Sequence, residues 1–282
     1  MTKFWQTSRR EISLEKTLVM AVLNVTPDSF SDGGKFFSTD EALKQAEKLI
    51  DKGADILDIG GESTRPKSER ISVKEEIRRV IPIIREISKR FEVPISIDTS
   101  KSEVAQKAFE SGAEIINDVS GLRFDEKIAE VAAKYKTGLI LMHLRGDFET
   151  MHDQTPVANI LQEVSEGFSW SIKKAKSYNV KENQIALDVG IGFSKTYEQN
   201  LELLAKLDKL VSEFPNFPML VGTSRKSFIG KILKNAATNE RLSGGLASAA
   251  VAVWNGAKIV RVHDVRETVE MLKVVEEIKK QL

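Results

Sequence analysis

Eight short apolar runs, separated by stretches with helical periodicity, constrain this chain more than any other feature. The runs are Leu18–Val25, Ile56–Gly60, Ile95–Asp98, Glu114–Asp118, Gly138–His143, Gln184–Asp188, Met219–Thr223 and Lys258–Val262. Between them, most stretches carry apolar residues at i, i+3, i+4 spacing, which predicts helices over Thr39–Lys52, Ser72–Phe91, Ser102–Ser111, Asp125–Tyr135, Pro156–Tyr178, Tyr197–Phe214, Ser227–Leu233, Leu242–Asn255 and Val265–Gln281. Ser72-Val73-Lys74-Glu75 has the form of a capping box at the second of these. Strand–helix alternation implies parallel pairing through right-handed crossovers, and eight units imply a closed α/β barrel rather than an open sheet. A barrel of this kind takes about 250 residues, so the 282-residue chain reads as one domain over 1–282. Residues 17–282 form the barrel, and residues 1–16 a short strand or hairpin that plugs its amino-terminal end.

In such a barrel, reactive groups belong at the carboxyl ends of the strands. The eight runs end in Asn24, Asp58, Asp98, Asn117-Asp118, His143, Asp188, Ser224-Arg225-Lys226 and Arg261-His263. Singly, a strand-terminal Asp or Asn reads as a cap on the next helix. Eight at one rim are more simply explained by a shared polar pocket. The stretch Ala54–Pro66, ADILDIGGESTRP, is the fullest case. Its strand stops at Gly60-Gly61, and Pro66 bars helix at Arg65. The polar loop Glu62–Arg65 then presents two hydroxyls and an arginine, the chemistry of an anion clamp.

The rim residues sort into two chemistries. Asp98, Asn117 and Asp188 suit a flat heterocycle with a donor edge, because a carboxylate accepts two parallel N–H bonds and an amide both gives and takes. Lys226 adds a donor for ring acceptors and a stem that stacks on a flat ring. Asn24, Ser63, Thr64, Arg65, Arg261 and His263 suit phosphates, with the helix start at Val265 as a further anion site. For His263 the alternative is an interior histidine satisfied by a backbone carbonyl.

Other chemistries are excluded. With 42 basic and 41 acidic residues there is no global field for nucleic acid or a membrane surface. The absence of cysteine rules out disulfides, thiolate metal sites and cysteine nucleophiles, and suits a reducing cytoplasm. The N-terminal stretch lacks a signal-peptide apolar run, and no segment is apolar enough to span a bilayer. Gly190-Ile191-Gly192 lacks the third glycine of a dinucleotide fingerprint, and Gly222–Lys231 is not a P-loop. His143, His152 and His263 lack metal-site spacing, and no nucleophile elbow is present.

The segments NVTPDSFSDGG (Asn24–Gly34), DIGGESTRP (Asp58–Pro66), IDTSK (Ile97–Lys101), INDVSG (Ile116–Gly121), Met142-His143, LDVGIGF (Leu187–Phe193), GTSRKSFIG (Gly222–Gly230) and RVHDV (Arg261–Val265) together resemble the dihydropteroate synthase family. The resemblance runs from Asn24 to Val265, and its first two motifs are the specific ones. It implies a TIM barrel of folate biosynthesis, a cytoplasmic homodimer and sulfonamide target. Such an enzyme joins p-aminobenzoate to 6-hydroxymethyl-7,8-dihydropterin diphosphate and releases pyrophosphate with Mg²⁺. By motif, Asp98, Asn117, Asp188 and Lys226 would hold the pterin between Met142 and Phe193. Asn24, Thr64, Arg65, Arg261 and His263 would hold the diphosphate, Asn24 also touching Mg²⁺. Asp28, Ser29, Phe30, Pro66 and Ser224 would form the aminobenzoate side. Asp98, Lys226, Arg65, Arg261 and His263 would carry the catalysis.

The chain departs from the family pattern after the sixth run, where Val189, Ile191 and Ser194 replace Pro, Phe and Gly, and after His143, where the usual proline is missing from Gly146–Met151. Two rival functions remain. A corrinoid-linked methyltetrahydrofolate methyltransferase would use similar Asp and Asn residues but has no use for the clamps at Ser63–Pro66 and Arg261–Val265. A non-catalytic pterin-binding protein would be expected to show degraded motifs, and none here is degraded.

Overall fold

A computed structural model of the chain describes residues 3–25, 39–66, 68–153 and 156–281. Strands β1 (Phe4–Gln6) and β2 (Glu11–Ser13) form an antiparallel hairpin. They are followed by β3 (Leu18–Asn24), β4 (Ile56–Gly60), β5 (Ile95–Asp98), β6 (Ile115–Asp118), β7 (Gly138–Met142), β8 (Ile185–Asp188), β9 (Met219–Val221) and β10 (Ile259–Val262). These eight pair in parallel and close, β10 returning to β3. The helices between and after them are α1 (Thr39–Asp51), α2 (Val73–Arg90), α3 (Ser102–Ser111), α4 (Lys127–Tyr135), α5 (Ile160–Ser177), α6 (Tyr197–Ala205), α7 (Leu207–Glu213), α8 (Ser227–Ile232), α9 (Leu242–Trp254) and α10 (Val265–Lys279). The fold is a (β/α)8 TIM barrel, and each strand lies within two residues of its expected bounds. Among the described residues no helix is long and apolar enough to cross a membrane.

Three local expectations differ from the structure. The helix predicted over Tyr197–Phe214 is two helices that meet at Lys206. There the Asn255 amide donates to the Leu204 carbonyl at 2.8 Å, taking an acceptor that a continuous helix would need. That partner lies far along the chain, outside any helical-periodicity window. The helix predicted from Pro156 begins at Ile160, because Asn159 caps it by accepting from the Gln162 amide at 3.1 Å. At α2 only half of the capping box forms. Ser72 accepts from the Glu75 amide, but the Glu75 carboxylate is taken by Arg78 and Arg79.

Alternation along the strands divides the interior into two bodies of core. Residues facing outward, such as Val19, Leu57, Ile97 and Leu141, pack under the helices. Residues facing inward near the amino-terminal end, including Met20, Ile56, Ile115, Ile140 and Ile259, pack around Trp5. The hairpin therefore closes the barrel's bottom, as expected. Trp5 is fully buried and its indole N–H donates to the Gln184 carbonyl at 2.8 Å. The hairpin is fastened by Arg10, whose Nε and Nη2 reach the two oxygens of buried Glu114 at 3.1 and 2.8 Å.

Replacing Trp5 by Ala should lower the unfolding free energy by about 3–5 kcal/mol, the usual cost of emptying a large buried aromatic site. Denaturant titration measures this. A loss under about 1 kcal/mol, the level of a surface substitution, would mean that the hairpin does not close the core.

Candidate active site

Two residues beyond the apolar floor, the inward positions become polar. Ile56 is followed by Asp58, Ile115 by Asn117, Ala186 by Asp188 and Ile259 by Arg261, and on β5 Ser96 is followed by Asp98, which pairs in register with Asn117. Closure of the barrel gathers Asp58, Asp98, Asn117 and Arg261 into one hydrogen-bonded network. Arg261 donates through Nε to Asp58 Oδ2 at 2.6 Å and through Nη2 to Asp98 Oδ2 at 2.7 Å. Asn117 Nδ2 donates to the same Asp58 oxygen at 3.1 Å. Asp58 Oδ1 is buried and has no partner among the described residues.

The electrostatics follow from two carboxylates sharing one cation. Burial pushes Asp98 up to about 7; Arg261 pulls it down, and the Asp58 charge opposes that pull. Burial works against the Arg261 charge, but Asp58 and Asp98 outweigh it and hold the guanidinium above its ordinary range. Opposite this cluster, burial raises Asp188, whose Oδ1 accepts from the Gly190 amide at 2.8 Å. Lys226 faces it, lowered to about 8 by burial although Asp188 draws it upward. Its Nζ lies 4.3 Å from the centre of the Phe193 ring.

The phosphate-type residues are less closely gathered. His263 is lowered to about 3 by burial and by Arg261, so it is neutral at pH 7. Its Nδ1 lies 3.1 Å from Ser224 Oγ, so a side-chain hydroxyl rather than a backbone carbonyl satisfies it. Arg261, from the phosphate-type set, stands bonded to Asp98 of the ring-type set and to Asp58. Thr64, Arg65 and Pro66 lie on the loop after β4, and the last two are exposed. That loop's base is fastened by Glu62, whose Oε1 receives Lys101 Nζ and the Ile71 amide, each at 2.7 Å. Lys101 also reaches Glu76 at 2.6 Å, and burial raises the Glu76 carboxyl. Gly61 is needed for close packing here, because a Cβ would stand 2.7 Å from Val80 on α2.

Met142 and Phe193 lie in one apolar cluster with Val119, Leu144, Phe148 and Met151 at the barrel mouth. Two strand-end residues turn away from the interior. Asp118 accepts from the Ser120 and Leu122 amides, so it fastens the turn that follows β6 rather than capping α4, which begins at Lys127. His143 packs toward α5 near Gly167 and meets Lys195 Nζ at 3.1 Å. Burial takes this histidine down to about 2 and Lys195 down to about 7. Asp28, Ser29 and Phe30 lie outside the described residues. Asp58 is the interior residue that the site assignment missed, although its place in Ile56-Leu57-Asp58-Ile59 already set it on the same face as Ile56.

No group of three or more His, Cys, Asp or Glu is close enough to hold a metal among the described residues. A magnesium ion needs only one or two protein oxygens when substrate phosphates supply the rest. Asn24 offers one. Gly60 leaves a space between Asn24 Oδ1 and Asp98 Oδ2, which would lie 3.6 and 3.7 Å from a Cβ placed there. The donor set fits that ion as a substrate-borne one.

Asp58→Asn should lower the Asp98 titration below about 7, because a like charge is removed while Arg261 stays. Carboxyl carbon NMR would read the shift. An unchanged or higher value would contradict the shared-cation geometry.

Comparison with known proteins identifies the family. The family model described as pterin binding enzyme matches residues 20–263. The dihydropteroate synthase of Synechocystis is 48% identical over 260 residues, covering 92% of this chain and 89% of the relative. That of Bacillus subtilis is 47% identical over 262 residues, covering 93% and 88%. Among solved structures, Xanthomonas albilineans dihydropteroate synthase with 4-aminobenzoic acid superposes with a TM-score of 0.92 at 35% identity, covering 99% of both chains. The Yersinia pestis dihydropteroate synthase with a sulfonamide drug complex gives 0.92 at 38% identity, covering 98% of this chain and 99% of that one. The chain belongs to the pterin binding enzyme family, alongside the dihydropteroate synthases.

Proposed function

We propose that this enzyme condenses 6-hydroxymethyl-7,8-dihydropterin diphosphate with p-aminobenzoate, giving 7,8-dihydropteroate and pyrophosphate in folate biosynthesis. The observation that carries the reading is the Arg261–Asp98 contact of 2.7 Å, which sets an anion-binding cation against a buried carboxylate at one level of the barrel. Asp188 and Asn117 read the aminopyrimidinone edge, and Lys226 donates to a ring acceptor, with Met142 and Phe193 as walls. Of the five N–H donors of the Arg261 guanidinium, two are committed to Asp58 and Asp98. The remainder have no hydrogen-bond partner among the described residues and are available to diphosphate oxygens. His263, neutral, donates a hydrogen bond there, and Asn24, Thr64 and Arg65 complete the clamp. Magnesium beside Asn24 would neutralise charge on the diphosphate. Pro66 and Ser224, with Asp28, Ser29 and Phe30, form the aminobenzoate side.

In the reaction, the C–O bond at the pterin methylene breaks and its electron pair leaves with pyrophosphate. The amine nitrogen bonds to that carbon and then passes a proton to water or to the released pyrophosphate. With His263 assigned to the leaving group and Asp98 and Asp188 to the ring, the reading leaves no general base for the amine. Charge instead separates between Asp98, which stabilises positive charge on the ring, and Arg261, which receives negative charge on the leaving group. A homodimer is supported by the exposed apolar residues Ile232, Leu233, Leu242, Val251 and Trp254 in and beside α8 and α9.

Direct assay for 7,8-dihydropteroate is the test of the reaction. Pyrophosphate with Mg²⁺ should also raise the melting temperature; a corrinoid methyltransferase would show no such rise. Arg261→Ala should reduce kcat as well as raise KM for the diphosphate substrate; a pure KM effect would make Arg261 a ground-state contact only. The kcat/KM profile should rise as Asp98 ionises near pH 7 and fall as Lys226 loses its proton near 8. Lys226→Arg should remove the alkaline limb alone. A persisting alkaline limb would assign it elsewhere.

A further inference from the structure

The loop between β7 and α5 crosses the barrel mouth to the loop after β4, and one imidazole makes the join. His152 Nε2 lies 2.8 Å from the Thr64 carbonyl oxygen. A carbonyl only accepts, so this nitrogen carries the hydrogen. The same ring stacks on Phe193, with centroids 5.2 Å apart and planes at 27°. A second link joins the same two loops. The Arg70 guanidinium lies 5.4 Å from the Phe148 ring, and also 5.7 Å from that of Phe124.

The other side of the crossing loop is fastened to the segment after β8. The Ser194 amide donates to the Met151 carbonyl at 2.8 Å. Ser194 Oγ accepts from the Arg145 amide at 2.9 Å and lies 2.9 and 3.1 Å from the Arg145 and Met151 carbonyls. The Arg145 guanidinium donates to the Ser194 carbonyl. Ser194 holds a left-handed backbone, φ 51, which disfavours a side chain. Its hydroxyl bonds offset that cost, so the serine found where the family pattern has glycine is a fastening. Direct contacts thus run from Phe193 through His152 to Thr64, the residue before Arg65.

We propose that His152 is a positioning residue that couples filling of the pterin cleft at Phe193 to closure of the Thr64–Arg65 loop on the diphosphate. The proposal rests on the roles given above to Phe193 and Arg65. A flat ring packed against Phe193 limits its motion, which steadies the stacked imidazole and the carbonyl it holds. Such coupling is reciprocal: pyrophosphate must tighten pterin binding by the factor with which pterin tightens pyrophosphate.

Calorimetry with 6-hydroxymethylpterin, with and without saturating pyrophosphate and Mg²⁺, tests this on the parent, His152→Phe and His152→Gln. In the parent, pyrophosphate should tighten pterin binding about fivefold or more, the scale of an ordinary coupling. His152→Phe keeps a stacking ring but has no donor. Its affinity for pterin alone should stay within about twofold of the parent while the tightening disappears. His152→Gln, whose amide can donate to Thr64, should recover part of it. Full tightening in the Phe variant, or a Gln variant no better than Phe, would overturn the proposal. So would a Phe variant that loses pterin and pyrophosphate affinity separately and equally, since that marks a role in packing alone. A parent that binds both ligands without mutual tightening sinks the coupling while leaving the site reading intact. A parent that binds neither ligand removes the site reading and the coupling with it.

Discussion

The site depends on one guanidinium held between two carboxylates in the middle of a barrel. Arg261 meets Asp58 at 2.6 Å and Asp98 at 2.7 Å, and among the described residues neither acid has another cation so near. An isolated buried charge is costly, and removing one partner of such a set leaves the others uncompensated. The three residues come from β10, β4 and β5, so the cluster exists only because the strands close in register. Asn117, from β6, extends it to a fourth strand. The hydrophobic floor around Trp5 and the polar layer above it are thus one construction, with β4, β6, β8 and β10 each contributing to both.

On the proposed roles, that construction links the two ends of the substrate. Asp98 would serve the ring and Arg261 the leaving group, and the two are already bonded to each other. A shift of charge onto the departing diphosphate draws on the guanidinium that also holds Asp98, so the ring carboxylate and the leaving-group cation respond together. Asp58 is fully buried and Asn117 2% exposed, which strengthens the interactions at the floor of the site relative to water.

Much of this was legible in the residues. Period-two alternation fixed which side chains face inward, and the strand ends named Asp98, Asn117, Asp188 and Arg261 before any coordinates. Asp58 was equally legible, since it shares the inward face with Ile56, but its place inside an apolar run hid it behind the more conspicuous loop. Other features were illegible because they depend on contacts distant in sequence. The break at Lys206 needs Asn255, the anchoring of Glu62 needs Lys101, and the crossing from His152 to Thr64 spans 88 residues. No local pattern encodes those meetings. His143 and Asp118 mislead for the opposite reason: ending a strand in a polar residue does not settle which way it turns, and a one-residue step reverses the face.

On the proposed roles, the enzyme's charges are aimed at a transition state in which the methylene–oxygen bond is largely broken before the amine bonds. The intrinsic secondary deuterium isotope effect at the pterin methylene tests this most directly. A clearly normal effect is predicted, because the carbon loosens toward a cation between Asp98 and Arg261. A value at or below unity would show the amine already bonding, and would contradict that order of events.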